Sequence, residues 1–273
     1  MAITDKLPAS TAYTLSREKY ESVPDLGVWA LQLSLQQLGS QVVVDGYFGL
    51  ATERRVKAYQ RARRLTPDGI VGPKTQTRIV QGWANAAEKN VRIPDGLLDG
   101  IWKGEGGGFL VPVNWGVAGG VDVGAVQQRV YQTSAISSAV WNSHLRRDSK
   151  GNVLGPDAWL LENARFDRSK IIQAVDARSR LVQLALDLRQ NHDLFLPRAG
   201  VKKDHKTAWK YSVLDHNWPE AADLLSRGYV LSNTEASWVP PAIRAQGVNT
   251  KAEWADWYIK TMTRFVPANG WIA

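Results

Sequence analysis

Cysteine is absent from this 273-residue chain. Disulfide bridges, thiolate nucleophiles and cysteine-bound metals are excluded together. Histidine is scarce as well. Only His144, His192, His205 and His216 occur, none at a short His-x-x-His-type spacing, so a clustered zinc site is not expected. No Gly-x-Ser-x-Gly turn is present to expose a serine nucleophile, and no Gly-x-x-x-x-Gly-Lys-Ser/Thr loop is present to cradle phosphate. Neither a metal nor a nucleotide cofactor is expected. No apolar run approaches the ~20 residues that span a bilayer, and Met1 to Ser10 has no apolar core of the kind that directs secretion. The expectation is a chain that accumulates in the cytoplasm. Convincing alternating strands are also few, which points to a mainly α fold.

What the chain has in excess is positive charge. Lys and Arg number 34 against 26 Asp and Glu, a formal net charge of +8, with a sequence pI near 9.7. Such a balance suits nucleic acid, acidic wall polymers or anionic lipid head groups. Arg54, Arg55, Lys57, Arg61, Arg63 and Arg64 crowd one predicted helix whose apolar stripe is Val56, Tyr59 and Ala62. The basic residues therefore fall on its wet face, either as a solvated surface or as an attractor for an anionic envelope. No nucleic-acid-binding fold motif accompanies them, so nucleic acid is set aside as a partner.

One short segment occurs twice. Val44-Asp45-Gly46-Tyr47-Phe48-Gly49-Leu50-Ala51-Thr52 is answered, at an offset of 23 residues, by Pro67-Asp68-Gly69-Ile70-Val71-Gly72-Pro73-Lys74-Thr75. Each copy reads Asp-Gly, an apolar pair, Gly, two residues, then Thr. Asp-Gly supplies a tight turn with one residue free to take φ > 0. The Thr is placed to cap the helix that follows. Around the copies lie Leu31-Gln32-x-x-Leu35-x-x-Leu38-Gly39 and Val56-x-x-Tyr59-Gln60. From about Leu26 to about Ile79 this resembles the type 1 peptidoglycan-binding domain, a three-helix module of bacterial and phage wall hydrolases. The resemblance implies peptidoglycan as partner, with Asp45, Phe48, Asp68, Tyr59 and Gln60 as wall-binding residues.

The organisation expected from these signals is an N-terminal extension over 1–25, the binding module over 26–82, and a larger helical domain over 90–273. Residues 82–90 either continue the module's last helix or connect the two domains. Pro94 can open a helix with an apolar face of Leu97, Leu98, Ile101 and Trp102. Further helices are expected over Ala125–Ser143, Lys170–Gln190, Thr207–His216, Pro219–Arg227 and Thr250–Val266, the last capped by Asn249 or Thr250. Most of the 12 Trp follow Trp83. The majority are expected in the core, with a few, Trp115 among them, lining a sugar cleft.

The segment Gly100-Ile101-Trp102-Lys103-Gly104-Glu105-Gly106-Gly107-Gly108-Phe109 puts a carboxylate at the end of an apolar helix and before a run of glycines. Half-burial raises a carboxyl pKa and suits it to general-acid work. Downstream, Gly119-Gly120-Val121-Asp122-Val123-Gly124-Ala125-Val126-Gln127-Gln128 is expected to open the next helix. The pair of segments resembles the Glu-Ser-Gly … Gly-Leu-Met-Gln pattern of goose-type lysozymes and lytic transglycosylases, departing from it in having Gly106 where Ser is usual. That resemblance implies a lysozyme-like domain with Glu105 as acid and with Gly124 and Gln127 in the cleft. Asp122 is either a second carboxylate or the cap of the helix starting near Gly124. His216-Asn217-Trp218-Pro219 stands either for the cleft-shaping Tyr-Asn-Ala-Gly segment of such enzymes, with Asn217 on substrate, or for a helix start with Pro219 at its first position.

Taken together these features resemble a modular phage endolysin that cuts the β-1,4 bond between N-acetylmuramic acid and N-acetylglucosamine, as a muramidase or as a lytic transglycosylase. Such a protein is released from the host cytoplasm through a separate holin-type pore. The rival expectations are a non-catalytic wall-binding structural protein and a wall amidase or peptidase of unrecognised design. A monomer is expected, since no heptad seam appears.

Overall fold

The computed structural model describes residues 14–22, 24–105, 110, 113–115, 120–124, 128–132, 173–239 and 241–272. It is mainly helical. The elements are α1 (Arg17–Tyr20), α2 (Leu26–Gln37), α3 (Leu50–Ala62), α4 (Pro73–Val91), α5 (Leu97–Glu105), β1 (Val113–Trp115), β2 (Gly120–Val123), β3 (Gln128–Gln132), α6 (Ala177–Phe195), α7 (His205–Asn217), α8 (Pro219–Ser226), α9 (Pro241–Arg244) and α10 (Lys251–Met262). Two compact units emerge, one from Asp5–Trp83 with Glu105–Arg180, the other from Ala84–Gly104 with Leu181–Ala273. No described helix is long and apolar enough to cross a membrane.

In the first unit, α2 opens at Asp25, whose carboxylate accepts the Gly27 and Val28 amides at 2.7 and 3.3 Å. Its inner face, with Leu26, Val28, Leu31 and Leu35, is fully buried. On α3 the inner positions are Val56, Tyr59 and Gln60, while Arg54, Arg55 and Arg61 are exposed. The basic residues thus take the wet face that the 3.6-residue period assigns them. Residues before α2 are packed as well. Leu15 and Tyr20 are buried, Leu15 pairs with Val71 in an antiparallel bridge, and the Tyr20 carbonyl accepts the Phe48 amide at 2.9 Å.

The same unit holds a three-stranded antiparallel sheet in the order β1-β2-β3. This corrects the expected helix over Ala125–Ser143, because Gln128–Gln132 is a strand; residues 133–143 lie outside the described residues. Local propensity permits the strand and pairing with β2 selects it. Val121, Val123, Val130 and Tyr131 favour a pleated surface, and Gly124, at φ +89°, turns the chain between β2 and β3. A segment this short, with Val130 and Tyr131 as its apolar residues, does not distinguish helix from strand by period alone. Asp122 accordingly sits within β2, opposite Asn114 and Arg129, and caps no helix.

In the second unit α5 presents Leu97, Leu98, Ile101 and Trp102 inward, all fully buried. Gly100 permits a close approach to α10. A Cβ there would lie 1.7 Å from the Met262 carbonyl oxygen, so no other residue fits. On α7 the indole of Trp209 is fully buried, stacks on His192 at 4.1 Å, and donates to the Ile272 carbonyl at 2.8 Å. Pro219 stands at the start of α8, with Asn217 closing α7, which is the helix-start reading of His216–Pro219. Thr250 caps α10 in a reciprocal capping box with Glu253.

The start of α5 is held by Glu88, a buried residue of α4. Its carboxylate accepts the Gly96 amide at 3.0 Å and the Leu98 amide at 2.7 Å. Burial pushes this carboxyl up to about 7, assisted by the nearby Asp99 and Asp95 and opposed by the two amide bonds. Its folded value lies above its unfolded value of 4.5, so the folded state binds the proton more tightly. The stabilisation from this group is complete below about pH 4.5 and is lost as pH rises through about 7, a change of about 3 kcal/mol. Unfolding free energies from pH 4 to 8 for the wild type and Glu88→Gln check this. The stability difference between the two proteins is expected to change across that window, and a constant difference refutes the assignment.

Candidate functional site

The duplicated segments form two loops of one construction, each organised by a buried glutamine. In the first, Gln32 of α2 donates through Nε2 to the Asp45 carboxylate (2.8 Å), the Tyr47 carbonyl (2.9 Å) and the Thr52 hydroxyl (3.1 Å). Its Oε1 accepts the Asp45 and Gly46 amides at 3.0 and 2.8 Å. In the second, Gln60 of α3 donates to the Asp68 carboxylate (2.8 Å), the Ile70 carbonyl (2.9 Å) and the Thr75 hydroxyl (3.3 Å) and accepts the Gly69 amide at 2.9 Å. A primary amide carries donors and acceptors on one rigid group, so it can satisfy loop carbonyls and loop N–H groups together. Each Asp also closes a turn on itself, accepting the Tyr47 amide at 2.9 Å and the Ile70 amide at 2.8 Å. Gly46 and Gly69 take φ of +83° and +81°.

Thr52 and Thr75 do not cap helices, contrary to expectation. Gly49 holds the cap position of α3, and both Thr hydroxyls lie one turn inside, buried, as acceptors for the glutamines. The apolar pair after each Asp-Gly divides. Its second member, Phe48 or Val71, is fully buried; its first, Tyr47 or Ile70, is 42% or 44% exposed.

Beside the second loop lies an open groove of about 410 Å³, lined by Gln60, Leu65, Asp68, Ile70, Lys74 and Thr75 among others. Of the five residues assigned to wall binding, Asp45 and Asp68 are exposed on the loops, whereas Phe48, Tyr59 and Gln60 are buried. Gln60 and Asp68 meet at the groove. Sequence reasoning missed Tyr47, Ile70, Leu65 and Lys74; the first two could have been found by noting that adjacent residues in an extended segment face opposite ways.

The residues assigned to chemistry lie elsewhere. Glu105 ends α5. Trp115 stands in β1 opposite Val121, and Asp122 is in the central strand of the same sheet. Gly124 is buried at the β2–β3 turn, where a Cβ would lie 1.9 Å from the Ala174 carbonyl oxygen, so its role there is close packing. Gln127 falls outside the described residues. Asn217 belongs to the other unit.

Residues 25–79 match the model of the peptidoglycan binding domain family. Over 188 residues the chain is 28% identical to the N-acetylmuramoyl-L-alanine amidase CwlM of Mycobacterium tuberculosis, covering 65% of this chain and 44% of that protein. Over 43 residues it is 46% identical to the zinc D-Ala-D-Ala carboxypeptidase of Streptomyces albus G, 16% of this chain and 17% of that one. The chain thus spans less than half the length of the curated relatives it matches. The likeness to the amidase is far longer than the 25–79 module and takes in residues outside it. Residues 25–79 thus carry a peptidoglycan-binding domain match, and the two proteins matched are by name an amidase and a carboxypeptidase.

Replacing Gln60 tests the loop construction. Gln60→Leu is expected to cost about 1–3 kcal/mol for each buried partner left without a bond. Gln60→Glu is expected to cost more, since a carboxylate there faces the Asp68 carboxylate and the Ile70 carbonyl oxygen. Denaturant unfolding measures both; variants within about 0.5 kcal/mol of wild type would show that the amide does not hold the loop.

Proposed function

We propose that this chain is a peptidoglycan hydrolase held on its substrate by the 25–79 module. The observation that carries the reading is the double glutamine-organised loop inside a peptidoglycan-binding family match. The exposed basic face of α3 supports it, because an anionic wall attracts such a surface.

Two bonds are candidates for cleavage. The relatives support an amide bond, since the proteins matched are an amidase and a carboxypeptidase and the amidase likeness extends beyond the binding module. The arrangement of residues supports the glycan strand. Glu105 closes a helix whose inner face is fully buried, and the chain passes from it into a small antiparallel sheet bearing Asp122. In that reading Glu105 protonates the leaving glycosidic oxygen. Asp122 then activates water or forms the glycosyl intermediate, or the muramic acid 6-hydroxyl attacks in its place. Trp115 and Gln127 are the substrate contacts it assigns.

Mass spectrometry of soluble fragments from purified peptidoglycan separates the readings. New reducing muramic acid ends or 1,6-anhydro ends are expected for glycan cleavage, and Glu105→Gln is then expected to lose at least 100-fold in rate, since general-acid catalysis contributes about 10²–10⁴-fold. New peptide amino termini with intact glycan, and an active Glu105→Gln, establish the amide reading. No soluble fragment of either kind overturns the hydrolase and leaves a wall-binding protein.

A further inference from the structure

The wall-binding module has two copies of its loop but one described groove, and the equivalence of the copies reaches further than the groove. In each copy a buried glutamine amide holds the Asp-Gly turn, the Asp carboxylate fixes the next backbone amide, and the residue bearing that amide projects outward. The projecting residues are Tyr47 and Ile70. A single exposed apolar side chain is ordinary on a protein surface. Two at equivalent positions, each on a backbone pinned by the same set of bonds, are a repeated presentation. Val43 and Leu50, within four residues of Tyr47 in the sequence, are exposed too.

The two presentations are tied together within one unit. The N-terminal segment bonds to Val71 through Leu15 and to Phe48 through Tyr20. Six residues of chain therefore bound the separation of the loops to no more than about 30 Å. The helix that connects the loops, α3, exposes Arg54, Arg55 and Arg61. An apolar contact at each end with positive charge between them fits a polymer that repeats sugar rings and carries carboxylates.

We infer that the module is bivalent: the Tyr47 loop forms a second glycan-contacting site, equivalent to the Ile70 groove, and one wall strand engages both. This rests on the wall-binding reading above. Tyr47 offers a flat ring to a pyranose face, while the second loop offers Ile70 beside Lys74 and Asp68. Two pinned sites on one body convert the second contact into an intramolecular one, so retention on a polymer exceeds that of either site alone.

The full chain is tested with two probes, a soluble disaccharide-peptide fragment by titration calorimetry and purified sacculi by sedimentation. The wild type is expected to bind two fragments, and Tyr47→Ser and Ile70→Ser one each. On sacculi each single variant is expected to lose about 100-fold in affinity, with an unfolding midpoint unchanged because both side chains are half exposed. One fragment bound by the wild type, or unchanged sacculus retention of Tyr47→Ser, overturns bivalency while leaving wall binding in place. Where fragment binding is too weak to count, the sacculus result decides alone. Failure of the wild type to sediment with sacculi overturns the wall-binding reading itself.

Discussion

A side-chain amide buried where a loop would otherwise leave its backbone unsatisfied is the constraint from which the first unit is built. Asp-Gly turns expose carbonyls and amides that cannot pair with each other in so short a span, and burying them unpaired costs more than their bonds return. Gln32 and Gln60 meet both needs from inside the helix that precedes each turn. Every other feature of the module follows from that placement. The glycines take positive φ because the loop must bring its amides back to the glutamine. The Thr hydroxyls are drawn into the following helices as acceptors. The second apolar residue of each pair falls inward and the first outward.

The second unit solves a similar problem with charge. The free amides at the start of α5 are met by the Glu88 carboxylate, which lies in a buried place and holds its proton to near neutrality. The first unit uses neutral amides for this task, whereas a carboxylate makes the start of α5 sensitive to pH. The helix so anchored is the one that ends at Glu105, and its Gly100 fixes how closely α10 can approach. The placement of α5 is therefore set at its start and within its first half by groups that tolerate little substitution.

Function divides along the same line. Residues 25–79 carry a peptidoglycan-binding family pattern whose polar frame is internal and whose outward residues are available to a ligand. In the proposed reading, the bond that is cut depends on residues beyond the module. There the similarity to an amidase and the roles proposed for Glu105 and Asp122 point to different bonds within one wall polymer.

The sequence alone determined the module's two turns and the inward face of Leu97, Leu98, Ile101 and Trp102, because each depends on neighbours within a few residues. It determined the wet basic face of α3 for the same reason, since helical periodicity is local. It left open whether Pro219 starts a helix and whether Asn249 or Thr250 is the cap; the structure chose the helix start and Thr250. Only tertiary structure decided that Gln32 and Gln60 are the hubs of the loops, because their partners lie 8 to 20 residues away. It decided that Thr52 and Thr75 serve those glutamines and cap nothing, and that Tyr47 and Ile70 face outward while Phe48 and Val71 are buried. It also decided that Gln128–Gln132 pairs as a strand: five residues with only Val130 and Tyr131 apolar set no period of their own, and β2, lying opposite, supplies the hydrogen bonds that choose for it.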